Sequence, residues 1–395
     1  MNKTVFINAC IFRNRTFENG TFEVLDDRFG KINTTFIPDN TEHRDNVIDL
    51  HGALVIPGLI DIHGHGNSGY DFSTCGPDGL KNMARYLAVN GVTSFAPTSM
   101  TLPYESLEKA FTNAMALKDL QDNAAAEAEY PAEYARMSRV IGINMEGPYF
   151  SYGKRGAQNP EFLRLPDIEG FEKLYKSCKG LIKLADVAPE LDGAMEFIRH
   201  VSKYCTVSIA HTEADYSTVK KAFSNGAAHM THLFNGMNSI HHRNPGPVCA
   251  AYDTPQVFVE LICDGVHIAP PVIRMVFELF RGRVVLISDA LACCGMPDGD
   301  YSLGDQKISL KNKHAALPDG TLAGSASNLF DMLKNVVSFG ISPEEAIISA
   351  TLNPAHQTGV EDEIGSIDEG KKADFLICSE SLQLRSVYIN GLQVR

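Results

Sequence analysis

The stretch Leu54–Gly69 reads LVIPGLIDIHGHGNSG, and its second half decides how the chain is read. The apolar run Leu59–Ile62 ends at two histidines, His63 and His65. Residues two apart in an extended strand point to the same side. Both imidazoles can therefore reach one metal ion from the C-terminal end of a strand. A glycine follows each histidine, so the backbone can turn sharply there. Two surface histidines in a Gly-rich turn would give the same letters, so the rest of the chain has to discriminate.

Before this stretch, Thr4–Ile11 and Gly20–Leu25 read as short strands, with turns punctuated by Asp26, Asp27, Gly30 and Asn33. Asp49–Ile56 reads as a connecting strand ending in a turn at Pro57-Gly58. After Leu59 the texture changes. Apolar runs of four to seven residues alternate with amphipathic segments, the pattern of an α/β protein with a parallel sheet. Helices are predicted over Gly79–Asn90 and Tyr104–Asp119, and Gln121–Tyr134 reads as a polar excursion interrupted by Pro131. Asp300–Gly320 reads as an inserted hairpin with two strand-like pieces. Ser342-Pro343-Glu344-Glu345 starts a helix that Thr351–Pro354 should end. The tail returns to β texture, with strands over Ala373–Cys378 and Ser386–Gln393.

Between these ends, one acid or histidine follows strand after strand. Val140–Met145 reads as a strand with Glu146 directly after it. A carboxylate in an apolar setting needs a partner, which a metal would supply. Thr206–Ala210 ends at His211, and Ala227–Met230 is followed by His232. Val284–Ile287 leads to Asp289, a candidate proton shuttle that could equally cap the next turn. In a parallel barrel, strand ends converge on one face, where catalytic groups collect. Imidazole and carboxylate suit zinc, iron or manganese, and a divalent ion makes water a nucleophile for cleaving an amide or another carbonyl-derived bond. Arg243 reads either as a surface arginine or as an anion clamp, and His267, if protonated, adds positive charge. His229, His241 and His242 are not assigned to metal.

Composition narrows the partners. The formal net charge is −13 with no basic block, which argues against nucleic acid and anionic membranes. It leaves an anionic small molecule open, because a local pocket can be basic. Nine cysteines without a pairing pattern read as reduced thiols. With no signal-peptide core and no membrane-length apolar run, the expected location is the cytoplasm.

The ordered series PGLIDIHGHG, MEGPYFSYGKRGAQNP, AHTEA, HLFNGM, ICDGVHIAP, LISDA and LAGSA resembles the amidohydrolase superfamily. Within it, the chain is similar to the N-acetylglucosamine-6-phosphate deacetylase family. The resemblance implies a (β/α)8-type TIM barrel over residues 57–354 and a small β-sandwich formed by residues 1–56 and 355–395. It implies removal of the acetyl group from N-acetylglucosamine 6-phosphate, the galactosamine epimer or another N-acyl substrate being the alternative.

Carried over, Glu146, His211 and His232 match the principal metal ligands, and Asp289 the catalytic acid/base. His63 and His65 offer a second metal position, bridged by Glu146. The cofactor implied is one or two divalent ions per subunit, Zn2+ first, with Fe2+, Mn2+ or Co2+ as alternatives. Asn235 and Gly236 match sugar contacts, while Arg243 and His267 match phosphate contacts. The arginine is expected to reach in from the neighbouring subunit of a homodimer. Gln158 stands where family members carry a histidine that polarises the acetyl carbonyl; its amide still donates a hydrogen bond. Gly236 stands where alanine is common, a change expected to be mild.

Overall fold

Strands of two textures build the molecule, and the change falls at Pro57-Gly58. The computed structural model describes residues 2–34, 46–126, 131–304 and 306–395. Lys3–Arg13 (β1), Thr16–Leu25 (β2), Arg28–Asn33 (β3), Val47–Asp49 (β4) and Leu54–Pro57 (β5) come first. β1 is the hub. It pairs antiparallel with β2, and in parallel with β4 through Val5–Ile7 and with β5 through Cys10 and Ile11.

Then come the strands that carry the site. Leu59–Gly64 (β6) is followed by a small hairpin, Gly66–Asn67 (β7) and Tyr70–Asp71 (β8). Val92–Pro97 (β9) and Arg139–Val140 (β10) join β6 in a parallel three-stranded sheet, order β10-β9-β6. Ile143–Tyr149 (β11), Ile182–Val187 (β12), Thr206–Ile209 (β13), Ala227–Met230 (β14), Phe258–Ile262 (β15) and Val284–Ile287 (β16) pair in parallel in chain order. Helices cover parallel strands, so both strand faces are buried and the sequence reads as apolar runs. β11 and β16 are buried throughout. This parallel sheet curls: Thr98, just past β9, bridges to Asn144 in β11, and the Asp289 amide donates to the His63 carbonyl at 2.8 Å.

Gly299–Leu303 (β17), Gln306–Lys311 (β18) and His314–Ala316 (β19) form an antiparallel sheet of three strands, one more than the two pieces expected. Phe375–Cys378 (β20), Leu384–Ile389 (β21) and Leu392–Gln393 (β22) return the C-terminus to the first sheet. There β20 lies antiparallel to β5, giving the order β22-β21-β20-β5-β1-β2-β3 with β4 beside β1. Aromatic rings fill its core: Phe6 stacks on Phe22 at 4.7 Å and Phe375 on Tyr388 at 4.5 Å.

Several boundaries differ from the sequence reading. Glu146 lies inside β11, not after it. The ladder to β12 is irregular between Met145 and Tyr149 and then resumes. Glu-Gly-Pro is thus a break in pairing within a strand, with Gly147 at φ +95°. Thr351 ends the helix Pro343–Ala350, but Leu352–Thr358 starts another at once, because Pro354 fits a first turn. The helix from Tyr104 runs on to Ala126, and residues 127–130 of the polar excursion lie outside the described residues. All nine cysteines are free, and no helix among the described residues is long and apolar enough to cross a membrane.

Candidate metal centre and active site

The histidines and Asp289 are delivered by strand ends, and Glu146 by the break within β11. His63 ends its own run in β6, and His65 follows it. His211 stands two residues beyond β13, His232 two beyond β14, and Asp289 two beyond β16. All three adopt positive φ: +44°, +25° and +47°. Such backbone is strained for a residue with a Cβ, and strain of this kind collects at functional sites.

Glu146 is the centre, buried with its two oxygens facing different partners. Oε1 lies 3.0 Å from His232 Nε2, 3.2 Å from His211 Nε2 and 3.5 Å from His63 Nε2. Oε2 lies 3.4 Å from His65 Nε2. Asp289 Oδ1 completes the ring, 3.2 Å from His65 Nε2 and 3.7 Å from His63 Nε2. Among the described residues two groups can hold an ion, Glu146 with His211 and His232, and Glu146 with His63 and His65.

The protonation pattern fits that use. Nδ1 of His65, His211 and His232 faces the carbonyl oxygens of Thr98, Lys154 and Asn235 at 3.2, 2.8 and 3.2 Å. A carbonyl only accepts, so these Nδ1 atoms carry a proton, and each Nε2 is left facing Glu146, where an ion would sit. The gap between His211 Nε2 and His232 Nε2 is 3.2 Å. Ligands about 2.1 Å from a tetrahedral ion sit about 3.4 Å apart. The buried His63 Nε2 has no hydrogen-bond partner, as a nitrogen reserved for an ion would not.

Electrostatics bind the cluster together. Burial opposes charge on Glu146, but the imidazoles of His211, His232, His63 and His65 around it hold its carboxyl well below the usual range. Burial likewise opposes charge on Asp289, and His65 and His63 overcome it, so this carboxyl is also held low. His63 is raised against its own burial by Glu260 and Glu146.

The site opens into a cleft of about 580 Å³, solvent at its mouth included, of the size that small-molecule sites have. His65, Glu146, Gln158, His211, His232, Asn235, Gly236, His267 and Asp289 line it, with His63 buried behind. Gln158 is committed at both ends: Thr101 N–H donates to Oε1 at 2.7 Å, and Nε2 donates to Glu146 Oε2 at 2.6 Å. His267 sits between two acceptors, Asp264 Oδ2 on Nδ1 and Ala323 O on Nε2, both at 2.7 Å. Its pKa is raised: burial opposes, Asp264 prevails. It therefore offers the cleft a charge and no free N–H. Gly236 has φ +60°, and a Cβ there would lie 2.8 Å from His211 Nδ1. The glycine-for-alanine difference is therefore not mild in this backbone, because alanine would press on a candidate ligand. Arg243 is not brought to the cleft. It is exposed in its loop, with NH1 2.6 Å from His242 Nε2.

Three buried acids within the parallel strands escaped the sequence reading: Asp61, Asp186 and Glu260. Asp61 accepts from Ser288 Oγ at 2.6 Å, and burial pushes its carboxyl up to about 6. Asp186 accepts from Thr231 Oγ1 at 3.0 Å; burial, then Glu260 and Glu146, hold it well above the carboxylate range. The available signal was an acid in the middle of an apolar run, LIDIH, IKLADV and VFVELI.

The Amidohydrolase family model matches residues 54–394. The chain belongs to the amidohydrolase family. This amidohydrolase is 33% identical over 377 residues to the N-acetylglucosamine-6-phosphate deacetylase of Vibrio furnissii, covering 95% of this chain and 88% of that one. It is 32% identical over 348 residues to the N-acetylgalactosamine-6-phosphate deacetylase of Escherichia coli O157:H7, covering 88% and 89%. A solved structure of a mutant N-acetyl-D-glucosamine-6-phosphate deacetylase from Mycobacterium smegmatis, in complex with N-acetyl-D-glucosamine-6-phosphate, matches with TM-score 0.88 at 27% identity, covering 100% of both chains. The amidohydrolase thus shares the mixed α/β fold of these enzymes.

Proposed function

We propose that this amidohydrolase cleaves the acetamide of N-acetyl-D-glucosamine 6-phosphate, giving D-glucosamine 6-phosphate and acetate. The observation that carries this reading is the convergence of Glu146, His211, His232 and Asp289 on one cleft, in a chain matching a deacetylase of that sugar over 95% of its length. Glu146, His211 and His232 are the proposed holders of a divalent ion, Zn2+ or else Fe2+, Mn2+ or Co2+, and His63 and His65 with Glu146 of a second. When bound, such an ion supplies Lewis acidity, bringing the pKa of water to about 7 in favourable sites.

Asp289 accepts the proton of the attacking water as its oxygen bonds to the acetyl carbon. Asp289 then returns that proton to the amine nitrogen as the C–N bond breaks. Its ionised resting state suits the first of these roles. Asn235 and Gly236 are assigned to the sugar, and His267 to the phosphate through its charge. Arg243, remote from its own cleft, is assigned to the phosphate in the neighbouring subunit of a homodimer. Gln158 lies beside the acetyl position. We read the curled parallel sheet as a closed (β/α)8 barrel over residues 57–354. The terminal strands, 1–56 and 355–395, form the second domain, a small β-sandwich, and the protein acts in the cytoplasm.

The Escherichia coli relative acts on the galactosamine epimer by its name, which supports that sugar as a second reading. Acetate release from both epimers, with protein metal content measured alongside, tests the pair. Faster release from the glucosamine epimer is expected. No release from it by metal-loaded protein would refute the proposal, and faster release from the galactosamine epimer would install the alternative.

A further inference from the structure

Three of the four histidines around Glu146 are oriented by neutral backbone carbonyls. His63 is different: its Nδ1 lies 2.8 Å from Glu260 Oε2, a carboxylate oxygen. The same oxygen accepts the backbone N–H of His232 at 3.1 Å. Glu260 therefore touches both candidate tripods without facing either ion position. It projects from the interior of β15, fully buried, between Val259 and Leu261 in the strand. Its second oxygen, Oε1, has no hydrogen-bond partner, and His229 Nε2 is 3.8 Å from it. Burying a carboxylate in this way is costly, and an apolar side chain would suit the strand better. Orienting a ring so that its other nitrogen is free for a metal is the service such a carboxylate renders elsewhere.

We infer that Glu260 is a positioning residue. It fixes the His63 ring so that Nε2 faces the ion position shared with His65 and Glu146, and through one oxygen it ties that ring to the His232 backbone. The inference rests on the metal reading above. Its negative charge makes the His63 imidazole a stronger donor than its three carbonyl-oriented neighbours.

The test compares wild type, Glu260→Gln, His63→Gln and the double variant, as full-length protein stripped of metal and titrated with Co2+ against a chromophoric chelator. Glutamine keeps an oxygen that can accept from both partners and removes only the charge, so the fold should survive. Glu260→Gln is expected to bind its weakest Co2+ about 10–100-fold less tightly, with an altered visible Co2+ spectrum. On the His63→Gln background it should add nothing further. Equal affinity in Glu260→Gln and wild type would overturn the inference, and so would additive losses in the double variant. Should Glu260→Gln fail to fold, Glu260→Asp takes its place in every comparison. It keeps the charge but draws the oxygen back from His63, and the same weakening is expected. Wild type that bound no Co2+ at all would instead refute the metal reading itself.

Discussion

Asp289 is the residue on which the chemistry turns. Its Oδ1 sits 3.2 Å from His65 Nε2, and its neighbours hold it ionised. Asp289→Asn keeps the shape and removes the base, so kcat should fall on the order of 10²–10⁴-fold with metal content unchanged. A non-catalytic metal-binding protein would lose nothing by this change. The sign of the pH effect follows from the lowered pKa. The rate owed to Asp289 is present above the ordinary aspartate value of about 4 and lost only as pH falls below it. A kcat profile of the metal-loaded enzyme checks this, and an acid limb that disappears in Asp289→Asn at pH 6 would contradict it. At this scale the sequence was legible where polarity ended an apolar run, as at His63, His211, His232 and Asp289. It was not legible where the acid lay inside a run. Glu260 and Asp186 sit between apolar neighbours, and only the folded sheet brings their partners within reach. Gln158 was legible as a cleft residue. Its hydrogen bonds to Thr101 and Glu146 were not, because they join segments that meet only in the fold.

Elements position these residues, and their ends matter more than their middles. The helix Tyr216–Ser224 follows His211 closely, and Asp215 caps it, accepting the Thr218 N–H at 2.8 Å. Hydrogen bonds to Thr218 hold this exposed carboxyl below its usual range. Asp215→Ala removes the cap and should cost about 1 kcal/mol of stability, with kcat unchanged. Because the folded-state pKa is lowered, the benefit exists above pH of about 4 and fades as pH falls through the lowered value. Melting midpoints of the two proteins should therefore differ at pH 7 and converge in acid. The cap was readable in the letters, since Asp before an amphipathic run is a local signal. The break at Glu146 was not. Glu-Gly-Pro has the composition of a turn, and only the renewed pairing of Tyr149 with Val187 keeps it within a strand. Pro354 misled for a related reason: a proline that reads as a stop also fits a first turn.

At the scale of the whole molecule, the pairing of both termini in one sheet was foreseeable from their shared β texture. The register of β20 against β5, some 320 residues apart in the chain, was not. Arg243 poses the remaining question at this scale, because it stands exposed, away from the cleft of its own subunit. If it completes the neighbouring site, activity belongs to the dimer, and two inactive variants should rescue each other. Arg243→Ala keeps Asp289 but deprives its partner of the clamp. Asp289→Asn keeps the clamp but has no base. In a mixed dimer, the site carrying Asp289 receives Arg243 from the other subunit and works, while the second site does not. Random reassortment of equal amounts puts about half of the dimers in the mixed form, so about one quarter of wild-type activity should return. An arginine acting within its own subunit predicts no recovery, since every chain then lacks either the clamp or the base. Acetate release after dissociating and reassociating the mixture measures the difference. Each variant reassociated alone sets the baseline, and a mixture that stays on that baseline would assign Arg243 to its own subunit or to no site at all.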